Sequence, residues 1–416
     1  MGLRMFSNAT SPIAIEFGTS SVKLLQINAG ERPTLTAAAE LTIPDSVRLE
    51  QDKLNAFYAE KLPKIIAAAG FKSRRAVLAI PSGQSLIQHT QVVKDGRTNR
   101  DDAIKSQLHY QLGHPPESLV VRSIEVADVH RDGQVQSEII CFATSRETVM
   151  GYVELLKRCK LNVVGVHTEA TALVRAFDHI TRRESDGELA TLFVDIGWGG
   201  TLVVISHGRR IVFARHIPIG GRHFDQLIVR TLHCDIALAR AHRMKLSGAP
   251  EPTVPAPEMA ATEGAAILKA AASAHASTSK QTKTATAATQ AERREGLTPA
   301  TSCHPVPDGD PPCRAGNVDL TEPLDTITDE LSMCLRYHTG LFPGRAIDRA
   351  IFVGGEARQT WLCQHVVKAL RVPAQLGDPL SRAARPKSLK TPGLKLDQTQ
   401  PGWAVAYGLC TAPTDL

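Results

Sequence analysis

Asp195 ends the apolar run "TLFVD" and is followed by the glycines of "GWGGT": Gly197, Gly199 and Gly200, then Thr201. A carboxylate at a strand end, just ahead of a glycine turn, is suited to phosphate chemistry. Glycine lets the main chain come close enough for its N–H groups to converge on phosphate oxygens, without a lysine-bearing phosphate loop. The acid can hold Mg²⁺ through waters and so neutralise phosphate charge. The same device stands earlier in the chain. "IAIEFGTSSVKLLQI" carries Glu16 two residues before Gly18, then Thr19, Ser20 and Ser21 in the turn and Lys23 in the returning run. The hydroxyls of Thr19, Ser20 and Thr201 are further donors, and Lys23 and Lys245 are candidate cations. Gly220-Gly221 opens a helix. Gly354-Gly355 follows the apolar run "AIFV" and offers its turn and a helix N-terminus to a nucleoside. Any one of these turns alone is an ordinary hairpin, and an acid at a strand end is an ordinary cap. Their repetition implies two related lobes that clamp a triphosphate.

The elements that must position these residues are legible from periodicity. Residues 13–27 and 191–206 each read as two strands around a glycine turn. Between them, "LNAFYAEKLPKIIAAAG" is helical and "AVLAIP" is a buried strand. "NRDDAIKSQLHYQLGH" has an Asn cap and acids in its first turn, with Ile104, Leu108 and Leu112 on one face. "VVRSIEVADV" and "SEIICFATS" read as paired strands, and a Ser-capped helix and the strand "LNVVGVH" follow. That order over 85–167 suggests a small α+β sandwich. Residues 249–316 hold no Phe, Trp or Tyr and are crowded with Ala, Thr, Ser and Pro. Such a stretch buries too little apolar surface to offset its ordering entropy, which predicts a disordered insertion. Helix resumes with Leu324, Ile327, Leu331 and Leu335 in line. A strand, glycine turn and helix follow, and "PGWAVAYGLC" forms a closing helix.

At 416 residues the chain exceeds one compact core, and its 43% hydrophobic content marks it as mostly folded. A net charge of +6 without a basic stripe interleaved with aromatics argues against nucleic acid. The eight cysteines lack paired spacing, which suits a reducing compartment better than a disulfide framework. "CHPVPDGDPPC" at 303–313 has poor spacing for zinc. No run approaches the ~18 apolar residues of a membrane span, and "MGLRMFSNATSPIAIEFG" lacks a secretory apolar region, so a cytoplasmic protein is expected.

In this order, 13–27, 192–221 and 351–358 resemble the phosphate-1, phosphate-2 and adenosine motifs of the actin-like ATPase superfamily. Within it the chain is most similar to the PilM family of type IV pilus assembly proteins, over all but 247–316. The resemblance implies an α/β, actin-like ATPase (ribonuclease H-like) two-lobed fold with an FtsA-type inserted α+β subdomain. It places 1–85, 161–188 and 396–416 in the first-lobe core and 86–160 in the inserted subdomain. It assigns 189–222 with 345–395 to the second-lobe core and 223–344 to the second lobe's small subdomain. It further implies ATP and Mg²⁺ as ligands, with Glu16 and Asp195 on the metal side. Glu169, in "VHTEATALVRAF", would orient water for a slow ATPase at most. The implied partner is the cytoplasmic N-terminal tail of a PilN-like inner-membrane protein. That tail docks in the groove between the first subdomain and the inserted one, beside other pilus assembly proteins in a homo-oligomeric ring. On this reading the protein sits in the cytoplasm against the inner membrane, held through partners and without a span of its own. Related alternatives are a type II secretion component, an FtsA-like division protein or a small-molecule kinase. The chain departs from the family pattern at four places. Glu16 stands for Asp, Trp198 enters the second turn, and Glu356 follows Gly354-Gly355. The family's "AExxK" helix, whose Glu and Lys face the nucleoside, reads "AHRMK", so Lys245 survives and His242 replaces the acid.

Overall fold

The structure, a computed structural model, describes residues 10–94, 100–246 and 318–414, except 29, 31, 113–114, 132, 182–183 and 387–388, together with 303–305 and 314–315. In chain order the first half contains β1 (Ile13–Phe17), β2 (Ser21–Asn28), β3 (Thr34–Thr42), α1 (Asp45–Arg48), α2 (Gln51–Ala69) and β4 (Arg75–Ile80). β5 (Leu86–Val93), α3 (Arg100–Leu112), β6 (Leu119–Arg131), β7 (Gln134–Ser145), α4 (Arg146–Arg158), β8 (Asn162–Thr168) and α5 (Glu169–Ala176) follow. The second half contains β9 (Ala190–Ile196), β10 (Thr201–His207), β11 (Arg210–Ile217), α6 (Gly221–Leu232) and α7 (Ile236–Lys245). It continues with β12 (Cys303–Pro305), β13 (Arg314–Ala315), β14 (Val318–Asp319), α8 (Thr321–Leu341), β15 (Arg349–Val353), α9 (Thr360–Leu370), β16 (Ala374–Gly377) and α10 (Ala404–Leu409).

Two sheets share one plan. The first runs β3-β2-β1-β4-β8 and the second β11-β10-β9-β15-β16, with β12 added at its edge. In each, three strands form an antiparallel meander. The meander's first strand then pairs in parallel with a strand from later in the chain, and that one with another. The turns expected at Gly18 and Gly197 are the corresponding hairpins: Phe17 faces Val22 in one and Ile196 faces Thr201 in the other. β1 and β10 are buried at every position, as strands covered on both faces must be.

α5 and α10 share one apolar cluster with Ala14 and Leu25 of the first sheet and Leu192 and Val203 of the second. Their contact is backbone-close: a Cβ at Gly408 would overlap the Ala172 carbonyl oxygen. Gly408→Ala is therefore expected to lower stability by about 2–3 kcal/mol. A urea titration showing no loss would refute this close packing.

The small sheet β5-β7-β6 carries α3, whose Ile104 and Leu108 are buried with Ile139 and Cys141. The fourth strand expected in this sandwich goes elsewhere. β8 pairs in parallel with β4 in the first sheet, and α4 lays Tyr152, Leu155 and Leu156 on that sheet's outer cluster. Ser145 caps α4 by accepting a hydrogen bond from the Thr148 N–H. The expected insertion at 249–316 lies largely outside the described residues, but its C-terminal end corrects that expectation. Cys303–Pro305 pairs with Gln375–Gly377, and Arg314-Ala315 pairs with Val318-Asp319. Composition misses such pairing because neighbouring strands, not local apolar content, supply the stabilisation.

Candidate functional site

The carboxyl ends of the parallel strands of both sheets open onto one cavity of about 470 Å³, within the range of small-molecule sites. This is where ligands bind open α/β sheets. β1 delivers Glu16, β4 leads to Ser82, β8 leads to Glu169, β9 delivers Asp195 and β15 leads to Gly354. Both glycine turns close alike: Gly18 N–H donates to the Ser21 carbonyl at 3.0 Å and Gly197 N–H to the Gly200 carbonyl at 2.9 Å. They meet across the cleft, where Gly199 N–H donates to Thr19 Oγ1 at 3.1 Å. Gly354 has φ 95° and packs so tightly that a side chain there would overlap Asp195. That position tolerates only glycine.

Of the seventeen residues singled out above, thirteen line this cavity: Glu16, Gly18, Thr19, Ser20, Ser21, Lys23, Glu169, Asp195, Gly197, Gly199, Gly200, Gly354 and Gly355. Lys23 Nζ pairs with Glu16 Oε1 at 2.6 Å, and Glu16 Oε2 accepts the Ala406 N–H at 3.1 Å. Burial works to lower the Lys23 pKa, yet Glu16 and then Glu40 hold it above its ordinary value. Glu169 accepts the Ser82 N–H at 2.7 Å; burial pushes its carboxyl up to about 7 against that hydrogen bond. Burial, then the charges of Glu16 and Glu169, push Asp195 up to about 8, with Lys23 the only opposing influence. The site is therefore short of positive charge around Asp195. Among the described residues no three acidic, His or Cys side chains group closely enough to hold a metal alone. A divalent ion would thus be held by Asp195 largely through waters, as hard cations readily are. On the anion side, Arg48, Arg222 and Trp403 line the cavity. Each keeps a buried nitrogen, Nε, Nε and Nε1 respectively, without a hydrogen-bond partner among the described residues. Unsatisfied buried donors of this kind suit a phosphate chain.

Four expectations are corrected. Thr201 is buried and its hydroxyl donates to the Ile219 carbonyl at 2.7 Å, away from the cavity. Gly220 and Gly221 pack under the second turn: Gly221 N–H donates to the Gly197 carbonyl at 3.1 Å and Arg222 N–H to that of Trp198 at 2.7 Å. The Gly221 and Arg222 N–H groups thus hold the turn in shape, and the Gly220 N–H donates to His223 Nδ1 at 3.2 Å, so neither glycine has a donor free for a ligand. Lys245 is exposed near the end of α7 and does not line the cavity. No α-helix starts at Gly354-Gly355, because the single turn Glu356–Arg358 precedes α9.

The residue that sequence reasoning missed on α7 is Arg243, fully buried two positions before Lys245. Its Nε donates to Asp225 Oδ1 at 2.6 Å, and its Nη1 pairs with Glu356. This accounts for Glu356. Trp198 turns inward as well: Nε1 donates to Asp225 Oδ2 at 2.8 Å, and Arg48 lies over its ring at 4.4 Å. Arg240 binds Asp45 through two hydrogen bonds of 2.8 and 3.0 Å, tying α7 to α1 across the cleft. The signal for Arg243 is its spacing: Ala239 and Arg243, four apart, form the buried face of α7.

Two sheets of one topology, each sending an acid and a glycine turn into a shared cleft, define an actin-like, two-lobed α/β protein. A model of the type IV pilus assembly protein PilM family matches residues 14–252, more than half of the chain, and the chain belongs to that family. Among solved structures it is similar to the PilM–PilN type IV pilus biogenesis complex. There the identity is 17%, with 97% of this chain and 98% of the other covered at a TM-score of 0.66. A looser match is the ethanolamine utilization protein EutJ from Carboxydothermus hydrogenoformans (11% identity, 97% and 90% covered, TM-score 0.46). Another is MreB5 of Spiroplasma citri bound to ADP (12% identity, 97% and 95% covered, TM-score 0.44). Among the described residues no helix is long and apolar enough to cross a membrane.

Proposed function

We propose that the chain is an actin-like nucleotide-binding scaffold of the type IV pilus machinery. It takes ATP with Mg²⁺ between its lobes and binds the cytoplasmic N-terminal tail of a PilN-like inner-membrane protein, working in the cytoplasm against the membrane that holds its partner. The observation that carries the nucleotide reading is the facing pair of glycine turns over a deficit of positive charge at Asp195. Mg²⁺, when bound, supplies charge neutralisation to the phosphates. Asp195 would hold the ion, while Glu16 stays committed to Lys23 and the Ala406 N–H. Arg48 and Arg222 supply cationic donors. Glu169, poised near 7 and anchored by Ser82, can hold or release a proton at neutral pH and so orient water. Hydrolysis is slow at most, and nucleotide acts by setting lobe closure.

The tail reading rests on family membership, and lobe closure would couple its groove to the nucleotide site. Calorimetry with a PilN tail peptide, with and without Mg-ATP, tests both. Saturable peptide binding whose affinity changes about fivefold or more with Mg-ATP is expected. Equal affinity in the two conditions refutes the coupling, and no peptide binding refutes the tail assignment.

A further inference from the structure

Beside the Gly354-Gly355 turn, where a nucleoside is expected, the polar side chains behind the cavity wall are spent on one another. Arg243 of α7 and Glu356 of the turn after β15 form a buried ion pair there, backed by Asp225 of α6. The Glu356 carboxylate lies so close to Gly221 that any side chain at 221 would overlap it. Asp225 also accepts Trp198 Nε1 and lies 3.4 Å from Arg240 Nε. The second glycine turn, α6, α7 and the 354–358 turn are thus tied together at one point. Burial opposes the Arg243 charge, yet Glu356 and then Asp225 hold its pKa above the ordinary value, so the guanidinium stays charged and paired.

Two consequences follow for a ligand. The cavity is lined by the glycine turns, Arg222 and Arg358, but by no residue of α7, and Lys245 points to solvent from that helix. Reading a base requires polar groups that would be left unpaired by the wrong one. At this junction those groups already satisfy one another. Opening the pair to admit a base would strand the buried Glu356 carboxylate, since Arg243 keeps Asp225, at a cost larger than a typical neutral hydrogen bond returns. Elsewhere in the cavity lining, by contrast, Arg222 Nε, Arg48 Nε and Trp403 Nε1 have no hydrogen-bond partner among the described residues.

We propose that this cleft reads the Mg-polyphosphate chain and not the base, with Glu356 and Arg243 as the residues that deny the base its contacts. The inference rests on the proposed phosphate-binding reading of the site and narrows its ligand class to polyphosphates of any nucleoside, or none.

The test is calorimetric titration of the full chain with Mg-ATP, Mg-GTP, Mg-CTP and Mg-tripolyphosphate, beside Glu356→Ala. That variant leaves Arg243 paired with Asp225 and frees space at Gly221. Wild-type affinities for the four ligands are expected to agree within about threefold. In Glu356→Ala the nucleoside triphosphates should gain about tenfold over tripolyphosphate. A wild-type preference of about tenfold or more for ATP over both GTP and tripolyphosphate overturns the proposal, whatever the variant does. Absence of binding by all four ligands would instead defeat the phosphate-binding reading, and this inference with it.

Discussion

Asp195→Asn is expected to abolish Mg-dependent ATP binding and, in the ligand-free protein, to raise the melting temperature. The gain should grow as pH rises from 5 to 8 and reach ~5 °C at pH 8. Asp195 titrates near 8 in the folded chain, against 3.8 ordinarily. Between those values the folded state holds a proton that the unfolded state has released, so stability falls as pH rises through the window. The favourable contribution is complete below about pH 4 and is lost above about pH 8. Asn keeps the neutral form at every pH and removes that loss. Glu169, raised to about 7, adds a slope of the same sign in both proteins. Binding and stability thus move in opposite directions, as expected where a charge is held against its folding cost for a ligand's sake. A gain that is flat or shrinks with pH would show that Asp195 is not held in its neutral form. Retained Mg-dependent binding would remove Asp195 from the metal side.

Arg243→Met is expected to cost about 3–5 kcal/mol in urea unfolding, since it leaves Asp225 and Glu356 buried near each other with less compensation. Glu356→Ala should cost markedly less, because Arg243 retains Asp225 as its partner. The order of the two variants is the diagnostic quantity. If Arg243→Met proved the milder change, the ion pair would not be the tie between α6, α7 and the 354–358 turn.

Much of the fold is legible locally. The hairpins of 13–27 and 191–206 declare themselves because apolar runs around a glycine turn satisfy their backbone groups within a short span. α8 is legible because Leu324, Ile327 and Leu331 recur on one face, and all three are buried. The destination of β8 is not legible in "NVVGVHT" itself: its order in the chain suggests the small sandwich and only the family resemblance sets 161–188 in the first lobe, because pairing with β4 depends on which neighbour completes the first sheet. The site divides the same way. Thirteen residues beside the glycine turns and strand ends face the cavity as expected. Lys245 does not, because a motif spacing fixes position along a helix while packing fixes which face is buried. Residues 243 and 245 lie on opposite sides of α7, and the buried side holds Arg243. Thr201 fails for a similar reason: its hydroxyl meets the Ile219 carbonyl of a later loop.

The sequence by itself determined the duplicated device, an acid, a glycine turn and a returning strand, because those depend on neighbours a few bonds away. Only the tertiary structure decided how the charges pair. Glu16 is satisfied by Lys23 seven residues on and by the Ala406 N–H at the far end of the chain, leaving Asp195 only the charge of a lysine already paired elsewhere. Trp198 and Glu356 find their partners on α6 and α7. Coulomb and desolvation energies depend on distances through space, and those exist only once both lobes have closed around the cleft.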